Sequence, residues 1–504
     1  MGGTETRRRA GKNLRSVCIH CARRYRRVVA LLLTVSDTTT REQASLRKEL
    51  GLGDLVMAQV LCVVGSTWVG IAAKLGRAHV AFWLAAMLLY YIPLAVVVIY
   101  LNRMMPLEGG LYQWAKSGFG EMAGFLTAWN LWVYAVIVTG AIIFVIPTDL
   151  GYILGPAAAW IPASKLATLV LTGAVMTGIT LVAIRGLDIG KWLHNIGSIG
   201  IMVAYVILLG LPLWALWRGS ITHYEPIPWQ PPRPSWFGLA IFGQMTVGAL
   251  SGFEYVAILA GESRDAARTI GRSVVISAPI IALMFILGTS SVLTFVGTQP
   301  INVIGPIPQT MRNALGAVGW AAPLAISLLM MRAVASASLI FTGLTRLPMT
   351  AGWDNLVPSW FARLHPQRRT PVNSILFVTV LVMLLIFFSM LGVREQEASQ
   401  LLAGASIALY AITYVALFAL PLLGRRTLRS ALPLWVKILS LVGLISSVVS
   451  LGIMVYPIID VADPGMYAAK ICAVVVVTNV LGVAIYKAGR KPTTEALRAG
   501  RSYR

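Results

Sequence analysis

Long apolar runs follow one another along the chain, and each is continuous enough to form a helix through a lipid bilayer. A hydrocarbon core of about 30 Å is crossed by about 20 apolar residues in a helix. The strands of a membrane barrel would instead show alternating polarity over segments of about 10 residues. The pattern therefore predicts an all-α polytopic membrane protein with about twelve transmembrane helices, near residues 55–74, 79–101, 122–146, 165–184, 193–217, 236–260, 273–297, 321–345, 372–392, 399–423, 433–456 and 467–487.

Two of these runs are interrupted where an ordinary membrane helix would continue. The sixth contains the stretch FGQMTVGALSGFE, whose glycines weaken a helix and whose Glu254 places a carboxylate at membrane depth. The first is broken at its centre by residues 65–70. Irregular backbone at membrane depth is tolerated only where it is buried in protein or lines a wet cavity. Broken helices at corresponding positions of two halves indicate the substrate site of a transporter, although glycines also serve close helix packing.

Composition and charge support a membrane location. Apolar residues make up 57% of the chain and charged residues 12%, whereas soluble proteins carry about 25% charged residues. In a membrane protein, a net charge of +23 more often reflects basic cytoplasmic loops than a nucleic-acid partner. With the N-terminus inside, about 33 of the 42 Lys and Arg fall in the tails or inner connections. Because cytoplasmic loops carry such an excess, we expect both termini in the cytoplasm, a multi-pass protein of the plasma or inner membrane, and no nucleic-acid partner.

The same pattern divides the chain into a membrane domain between two basic tails. The N-terminal tail holds twelve Lys or Arg, and attraction to anionic lipid is one interpretation of it, an extension without a role another. The predicted parts are a cytoplasmic tail at 1–50, a transmembrane permease domain at 51–490 with repeats at about 55–217 and 236–423 and extra helices at about 433–487, and a cytoplasmic tail at 491–504.

Cysteine and histidine usage gives little indication of a metal or of catalysis. Cys18, His20 and Cys21 lie together in the basic tail, but no second Cys/His pair follows them, as a zinc site would require. No cluster of His, Asp and Glu and no Ser–Lys pair gathers at one depth of the membrane runs. We therefore expect no metal, no cofactor and no catalytic residues, so that an enzyme is not predicted.

Arg332 is a basic residue in the middle of a predicted helix. Arginine stays protonated in proteins, so a buried one needs an anion, carbonyl groups or water. Three interpretations remain open: a fixed cation where related transporters hold sodium, a contact for an anionic substrate group, or a structurally paired arginine. Ser336, one turn further on, offers either a small polar group or close helix packing. Glu254 is the first candidate for a group that binds a proton.

The connection between the eighth and ninth runs carries the longest recognisable motif, at residues 344–377. It resembles the amino acid-polyamine-organocation permease superfamily, where helix 8 ends in Ser/Thr-Arg and a Thr-Pro opens helix 9. The matching residues here are Thr345, Arg346, Gly352, Asp354, Leu356, Pro358, Phe361, Ala362, His365, Pro366, Thr370 and Pro371. Shorter matches involve Pro106, Gly109, Gly110, Tyr112 and Trp114 before the third run, and Gly252, Glu254, Glu262 and Arg268 in and after the sixth. The resemblance covers roughly residues 50–490.

This resemblance implies a LeuT-like five-plus-five inverted repeat with two added helices, which moves an amino acid or a related organic amine by alternating access. It also implies that the substrate carboxylate meets free N–H groups at residues 65–70 and that the amino group meets carbonyls at residues 249–252. Helix dipoles agree, because helix N-termini favour anions and C-terminal carbonyls favour cations. The predicted substrate-binding residues are Gly65, Ser66, Thr67, Trp68, Gly70, Tyr134, Gly248, Ala249, Leu250, Ser251 and Gly252, and the coupling or gating residues are Glu254, Arg332 and Ser336.

Both breaks depart from the family pattern. Ser66, Thr67 and Trp68 replace the usual glycine-small-glycine core of helix 1, and no aromatic residue precedes the Gly-x-Glu of helix 6. We expect a roomier pocket or a gate supplied by Trp68. Asn130, in the third run, is a further candidate for lining the cavity.

Energy coupling is not implied by the resemblance, since the lysine that some proton-coupled relatives carry in helix 5 is absent. Arg332 predicts independence from sodium, while proton symport and exchange for a second amino acid both remain open. The alternative function is a membrane sensor that binds an amino acid without moving it. The expected partners are thus an amino acid, the lipid bilayer, and either protons or a counter-transported amino acid.

Overall fold

The structure is a computed structural model and describes residues 51–105, 110–252, 266–297, 299–316, 319–350, 356, 359–368 and 370–489. Regular secondary structure within these residues is entirely helical, as the apolar runs predict. The α-helices are α1 (Leu52–Val63), α2 (Ser66–Ala73), α3 (His79–Ala86), α4 (Ile92–Met104), α5 (Leu111–Phe119), α6 (Glu121–Ile143), α7 (Ile146–Leu154), α8 (Trp160–Ala163), α9 (Lys165–Arg185), α10 (Leu187–Trp217), α11 (Trp236–Gly243), α12 (Ala266–Val296), α13 (Pro306–Leu315), α14 (Ala321–Thr350), α15 (Ser359–Ala362), α16 (Val372–Ser389), α17 (Glu395–Leu423), α18 (Arg426–Ala431), α19 (Leu434–Ile453) and α20 (Pro464–Gly489).

Every predicted run overlaps one of these helices. Among the described residues, ten helical segments are long and apolar enough to cross a membrane, or eleven if the bent pair α1 and α2 is one span. The sixth run is represented by a shorter apolar helix, Trp236–Ala249, and residues 253–265 that follow it lie outside the described part of the chain. We call the end of the bundle that holds α7, α8 and α13 the predicted outer end, after the charge pattern.

The first predicted helix is broken in the middle, at the predicted position. Val64 and Gly65 adopt extended backbone between α1 and α2, and the two halves differ in direction by 50°. The buried side-chain amide of Gln59 holds α1 against α12: it donates to the Ser273 hydroxyl at 2.9 Å and accepts from the Ser277 hydroxyl. A break inside the bundle leaves the C-terminal carbonyls of α1 and the first N–H groups of α2 without helical partners.

The second break follows α11. The chain passes through a π-turn at Gln244–Ala249 and leaves the helix at Leu250. Gly252 has a φ of +125°, a conformation that only glycine adopts without strain. The glycine of the predicted Gly-x-Glu motif therefore shapes the backbone of this break.

The third predicted helix is longer than its apolar run. After a bend at residues 144–145, α7 continues α6, so the apolar segment extends over Glu121–Leu154. Arg312 of α13 stabilises the end of α7, because its guanidinium donates to the carbonyls of Tyr152 at 2.5 Å and Ile153 at 2.6 Å. The sequence pattern placed residues 147–164 in a connection, and this interpretation was wrong for α7. Helix continuation carries Asp149 into the bundle.

Small residues bring the helices of the core into close contact. A Cβ atom on Gly197 of α10 would lie 2.2 Å from the Cβ of Ala335 on α14, so only glycine fits there. In the second predicted helix, Pro93 lacks the N–H that would bond to the carbonyl of Leu89, and this carbonyl instead accepts from the Ser446 hydroxyl at 3.0 Å. Such contacts fix the helices that surround the two breaks.

Candidate functional site

The two broken helices meet across the indole ring of Trp68. A Cβ atom on Gly65 would lie 3.0 Å from the near edge of this indole, and a Cβ atom on Gly248 would lie 2.7 Å from its far edge. Ile407 of α17 borders the same space, 3.0 Å from the Cβ position of Gly248. The absence of side chains at both glycines is what lets the ring fit. Trp68 therefore occupies the space between the breaks in this conformation.

The break after α11, called the helix 6 break because it lies in the sixth predicted run, is held from two sides by tyrosine hydroxyls. Tyr90, in the π-turn Met87–Tyr91, shares a hydrogen bond of 2.8 Å with the Ser251 hydroxyl. The hydroxyl of Tyr414 on α17 accepts from the backbone N–H of Gly252 at 3.2 Å. Both tyrosine rings are buried and meet edge to face. Tertiary contacts thus replace the helical hydrogen bonds that the break gives up.

An aromatic stack continues from this point towards α6, the helix of the third predicted run. The rings of Tyr134 and Tyr410 are stacked with centroids 3.7 Å apart, and Tyr410 in turn contacts Tyr414 with centroids 4.6 Å apart. Tyr134 is therefore connected to the helix 6 break through two rings of α17. Asn130, one turn earlier, is engaged elsewhere: it exchanges hydrogen bonds of 2.9 and 3.1 Å with Asn479 of α20.

Arg332 lies at the break between α1 and α2, which we call the helix 1 break. Its side chain is 8% exposed, and Nη2 donates to the carbonyl of Leu61 in the last turn of α1 at 3.3 Å. The same nitrogen is 3.8 Å from the Cβ position of Gly65. A helix C-terminus carries partial negative charge, so the guanidinium stabilises the end that the break exposes. The structure thus places a permanent positive charge beside the predicted carboxylate site.

Asp149 is a residue that the sequence interpretation missed. Its side chain is 2% exposed inside the bundle, and its charge interacts with that of Arg332. The preceding residue, Thr148, donates to the carboxylate of Glu395 on α17 at 2.6 Å. The signal was present in the sequence, since PTDLGYIL contains an acidic residue with apolar neighbours at helical spacing, but it follows a proline.

The structure brings together only part of the predicted set. Gly65, Trp68, Gly248 and Arg332 share one region, with Ser66 and Thr67 in the first turn of α2 and Ala249, Leu250, Ser251 and Gly252 in the break after α11. Gly70 lies on a different side, where its Cβ position is 2.5 Å from the Cβ of Pro306, so it permits contact with the segment that begins α13. Ser336 is fully buried on α14. Glu254 lies outside the described residues.

The chemistry available at the breaks is that of backbone dipoles, hydroxyl groups and one guanidinium. Among the described residues, no three His, Cys, Asp or Glu side chains are grouped so that they could hold a metal ion. At the far end of α2, the ammonium group of Lys74 donates to the carbonyl of Ile458 at 3.0 Å. Burial lowers the pKa of Lys74, and the nearby carboxylate of Asp460 partly opposes this effect. The groups at the two breaks thus offer backbone dipoles, hydroxyl groups and a positive charge to a ligand.

The sequence profile of a family described as amino acid permease matches residues 55–480. Among curated proteins, the chain is similar to an uncharacterized transporter of Legionella pneumophila, with 24% identity over 74% of this chain and 80% of the relative. It is also similar to the branched-chain amino acid permease of Bacillus subtilis, with 23% identity over 66% of this chain and 73% of the relative. The mouse large neutral amino acids transporter small subunit 2 is 23% identical over 70% of this chain and 68% of its own length.

Among solved structures, the crystal structure of MhsT in complex with L-phenylalanine has a similar fold. Its TM-score is 0.53, with 14% sequence identity, over 81% of this chain and 98% of that chain. At this identity the likeness concerns the fold alone, and it confirms the LeuT-like architecture that the motifs predict. The profile match over residues 55–480 shows that the chain belongs to the amino acid permease family of the amino acid-polyamine-organocation superfamily.

Proposed function

We propose that this protein is a secondary transporter that carries amino acids across the cell membrane by alternating access. The observation that carries the proposal is the meeting of two broken helices across one side chain, the indole of Trp68. Backbone groups freed in this way suit a ligand with a charge at each end. Membership of the amino acid permease family supports the same function.

In this proposal the substrate carboxylate binds the first turn of α2, at Gly65, Ser66 and Thr67. The N–H groups there have no helical acceptor, and the guanidinium of Arg332 is close to the same point. The amino group binds the carbonyls of residues 249–252, a segment that Tyr90 holds through the Ser251 hydroxyl and Tyr414 through the Gly252 N–H.

The substrate side chain then faces the space that Trp68 now fills. Leu250 and Ile407 are buried, apolar residues of this region, and Gly248 adds no side chain to it. An apolar surface favours a neutral amino acid. Relatives named for branched-chain and large neutral amino acids point in the same direction. Trp68 acts as the gate that moves aside when such a side chain enters.

Transport by this protein does not need sodium in the same scheme. Arg332 places its charge on the Leu61 carbonyl, the kind of site at which a sodium ion would compete for the same oxygen. Uptake should therefore be unchanged when NaCl is replaced by KCl. Sodium-stimulated uptake that persists in an Arg332→Ala variant would contradict this part of the proposal. Either protons or a second amino acid provide the coupling, and Glu254 stays a predicted contributor.

The experiment is uptake by purified protein in proteoliposomes preloaded with unlabelled amino acid. Counterflow of labelled L-leucine, L-phenylalanine and L-alanine should be detected for at least one of the three, with KCl on both sides. A thermal-shift screen of the twenty common amino acids on the same preparation identifies ligands, because a ligand that binds only the folded state raises its stability. Stabilisation without counterflow or accumulation would overturn the proposal and favour a membrane sensor.

A further inference from the structure

Asp149 is a buried carboxylate that the proposed substrate site does not use. It lies in α7, near the predicted outer end, and its side chain is 2% exposed. Its Oδ1 atom is buried and has no hydrogen-bond partner among the described residues. An ionised carboxylate in such surroundings is costly unless a positive charge compensates it. Ionisable residues inside a membrane domain commonly mark proton or ion pathways.

The compensating charge comes from Arg332 of α14, which packs along α7. The α14 helix starts at the predicted outer end, and helix side chains tilt towards the N-terminus of their helix. The Arg332 side chain therefore leans towards the level of α7. Its Nη2 donates to the Leu61 carbonyl at the helix 1 break, while its positive charge also acts on the Asp149 carboxylate.

Within the described part of the chain, the other elements around α7 offer no second positive charge at this point. Arg312 of α13 is engaged with the carbonyls of Tyr152 and Ile153, at the end of the helix. From α17 comes Glu395, a half-buried carboxylate bonded to Thr148, and α7 itself contributes Tyr152. The short helices after α7 carry no titratable side chain, and Lys165 at the start of α9 is exposed. Asp149 thus depends on Arg332 for its charge balance.

Arg332 therefore stands between two positions for a negative charge. One is the Asp149 carboxylate, and the other is the first turn of α2, where the proposed function places the carboxylate of the substrate. A single guanidinium cannot fully compensate two buried carboxylates, and like charges that share a site are relieved when one of them takes up a proton. The substrate arrives with its charge fixed by its amino group and the helix dipoles, so Asp149 is the group that changes.

We propose that Asp149 is the proton-binding site of transport. It takes up one proton from solution at the predicted outer end when an amino acid binds beside Arg332, and it releases that proton when the substrate leaves on the other side. This inference rests on the proposed transport function. One zwitterionic amino acid and one proton then cross together, so each cycle moves one positive charge.

The first test uses the wild-type protein, so it does not depend on the folding of a variant. Purified protein in detergent is brought to pH 8.5 in a weakly buffered solution with a pH-sensitive dye, and L-leucine is added. Binding should remove about one proton from solution per leucine bound, measured against isothermal titration of the same sample. Binding of leucine without proton uptake would overturn the role of Asp149.

The second test compares Asp149→Asn with Glu395→Gln in proteoliposomes. A pH gradient that is acidic outside should drive accumulation of labelled L-leucine at least tenfold above equilibrium in the wild type and in Glu395→Gln. Asp149→Asn should keep counterflow but lose this accumulation, because asparagine cannot carry the proton. Accumulation by Asp149→Asn at the wild-type level would contradict the proposal, as would a wild type that exchanges leucine without responding to the gradient. Wild-type protein without counterflow of any tested amino acid would instead contradict the transport function itself.

Discussion

In the proposed substrate site, the indole of Trp68 fills the space between the two broken helices. It lies against two glycines, and added Cβ atoms would come within 3.0 Å of the ring at Gly65 and 2.7 Å at Gly248. Packing as close as this leaves no room for a ligand while the ring stays in place. Substrate entry therefore requires either rotation of the indole or separation of α2 from α11, and both can be examined by substitution.

Gly248→Ala should reduce transport, because the new methyl group would overlap the far edge of the indole. Overpacking in a well-packed core costs about 1–3 kcal/mol, and about 1.4 kcal/mol corresponds to a factor of ten in an equilibrium. We expect initial uptake of labelled substrate in proteoliposomes to fall about tenfold. Gly210→Ala is the matched control, since a Cβ atom on Gly210 of α10 has no neighbour within 4 Å.

A second substitution identifies the contact responsible. Trp68→Phe removes the outer ring of the indole, which holds the two atoms closest to Gly248. The double variant Gly248→Ala/Trp68→Phe should recover part of the lost uptake. Gly210→Ala should leave uptake unchanged both in the wild type and when it is added to Trp68→Phe. Wild-type uptake by Gly248→Ala alone would mean that Trp68 does not occupy this space during transport.

At the scale of single elements, the helix 6 break is stabilised by hydrogen bonds from distant helices. Ser251 is paired with Tyr90 at 2.8 Å, and the N–H of Gly252 donates to Tyr414 at 3.2 Å. The two tyrosines come from separate elements, the π-turn Met87–Tyr91 and α17, so the break has a defined shape even though it lacks regular hydrogen bonds. Such definition is needed if the carbonyls are to receive an amino group with fixed geometry.

Tyr90→Phe tests whether the shape of the break matters for binding. The substitution keeps the ring and removes the hydroxyl, which leaves the buried Ser251 hydroxyl without this partner at a cost of about 1–3 kcal/mol. We expect weaker substrate binding in a thermal-shift titration, by about fivefold or more. Ser251→Ala in the Tyr90→Phe background should then cause little further loss, because both partners are removed. Independent, additive losses would show that the two hydroxyls do not act through each other.

Another element, α20, is joined to the bundle by polar contacts. Asn479 and Asn130 exchange two hydrogen bonds through their amides, and the Trp129 indole donates to the Thr478 carbonyl at 2.8 Å. Hydrogen bonds between membrane helices contribute about 0.6 kcal/mol on average and up to about 2. The reciprocal pair should therefore stabilise α20 without taking part in substrate binding.

Asn479→Leu should lower thermal stability while leaving substrate affinity unchanged. We expect the free energy of unfolding to fall by about 1–2 kcal/mol, because the Asn130 amide loses its partner inside the bundle. The measurement is unfolding of the detergent-solubilised protein with and without a saturating ligand. Leu481→Ala, at an exposed position of the same helix, provides the control. A change in ligand affinity for Asn479→Leu would indicate that Asn130 reaches the substrate after all.

The elements also show which features of the site could be predicted from the sequence. Both breaks were predicted correctly, because glycine and small polar residues inside an apolar run have a local physical meaning. The neighbours of Gly70 and Asp149 could not be predicted, since Pro306 and Arg332 come from segments more than a hundred residues away. The partner of Asn130 is Asn479 in the last helix, so the sequence could not show that Asn130 is engaged there instead of lining the cavity.

On the scale of the whole molecule, the fold follows from counting apolar runs, but its function depends on which side faces the cytoplasm. The coupling proposed for Asp149 requires that α7 and α13 lie at the outer surface, where they would meet protons from the medium. Basic residues support this orientation, since about 33 of the 42 fall on the opposite side or in the tails. The positive-inside rule relates such a bias to membrane insertion.

Cysteine labelling measures this orientation directly. In a background in which Cys18, Cys21, Cys62 and Cys472 are replaced by serine, single cysteines are introduced by Ala157→Cys and by Gln367→Cys, both at exposed positions in connections. A membrane-impermeant maleimide added to intact cells should label the Ala157→Cys variant and should label Gln367→Cys only after permeabilisation, provided that both variants retain uptake. The reverse pattern would place α7 in the cytoplasm, and Asp149 would then face the wrong solution for proton-driven import.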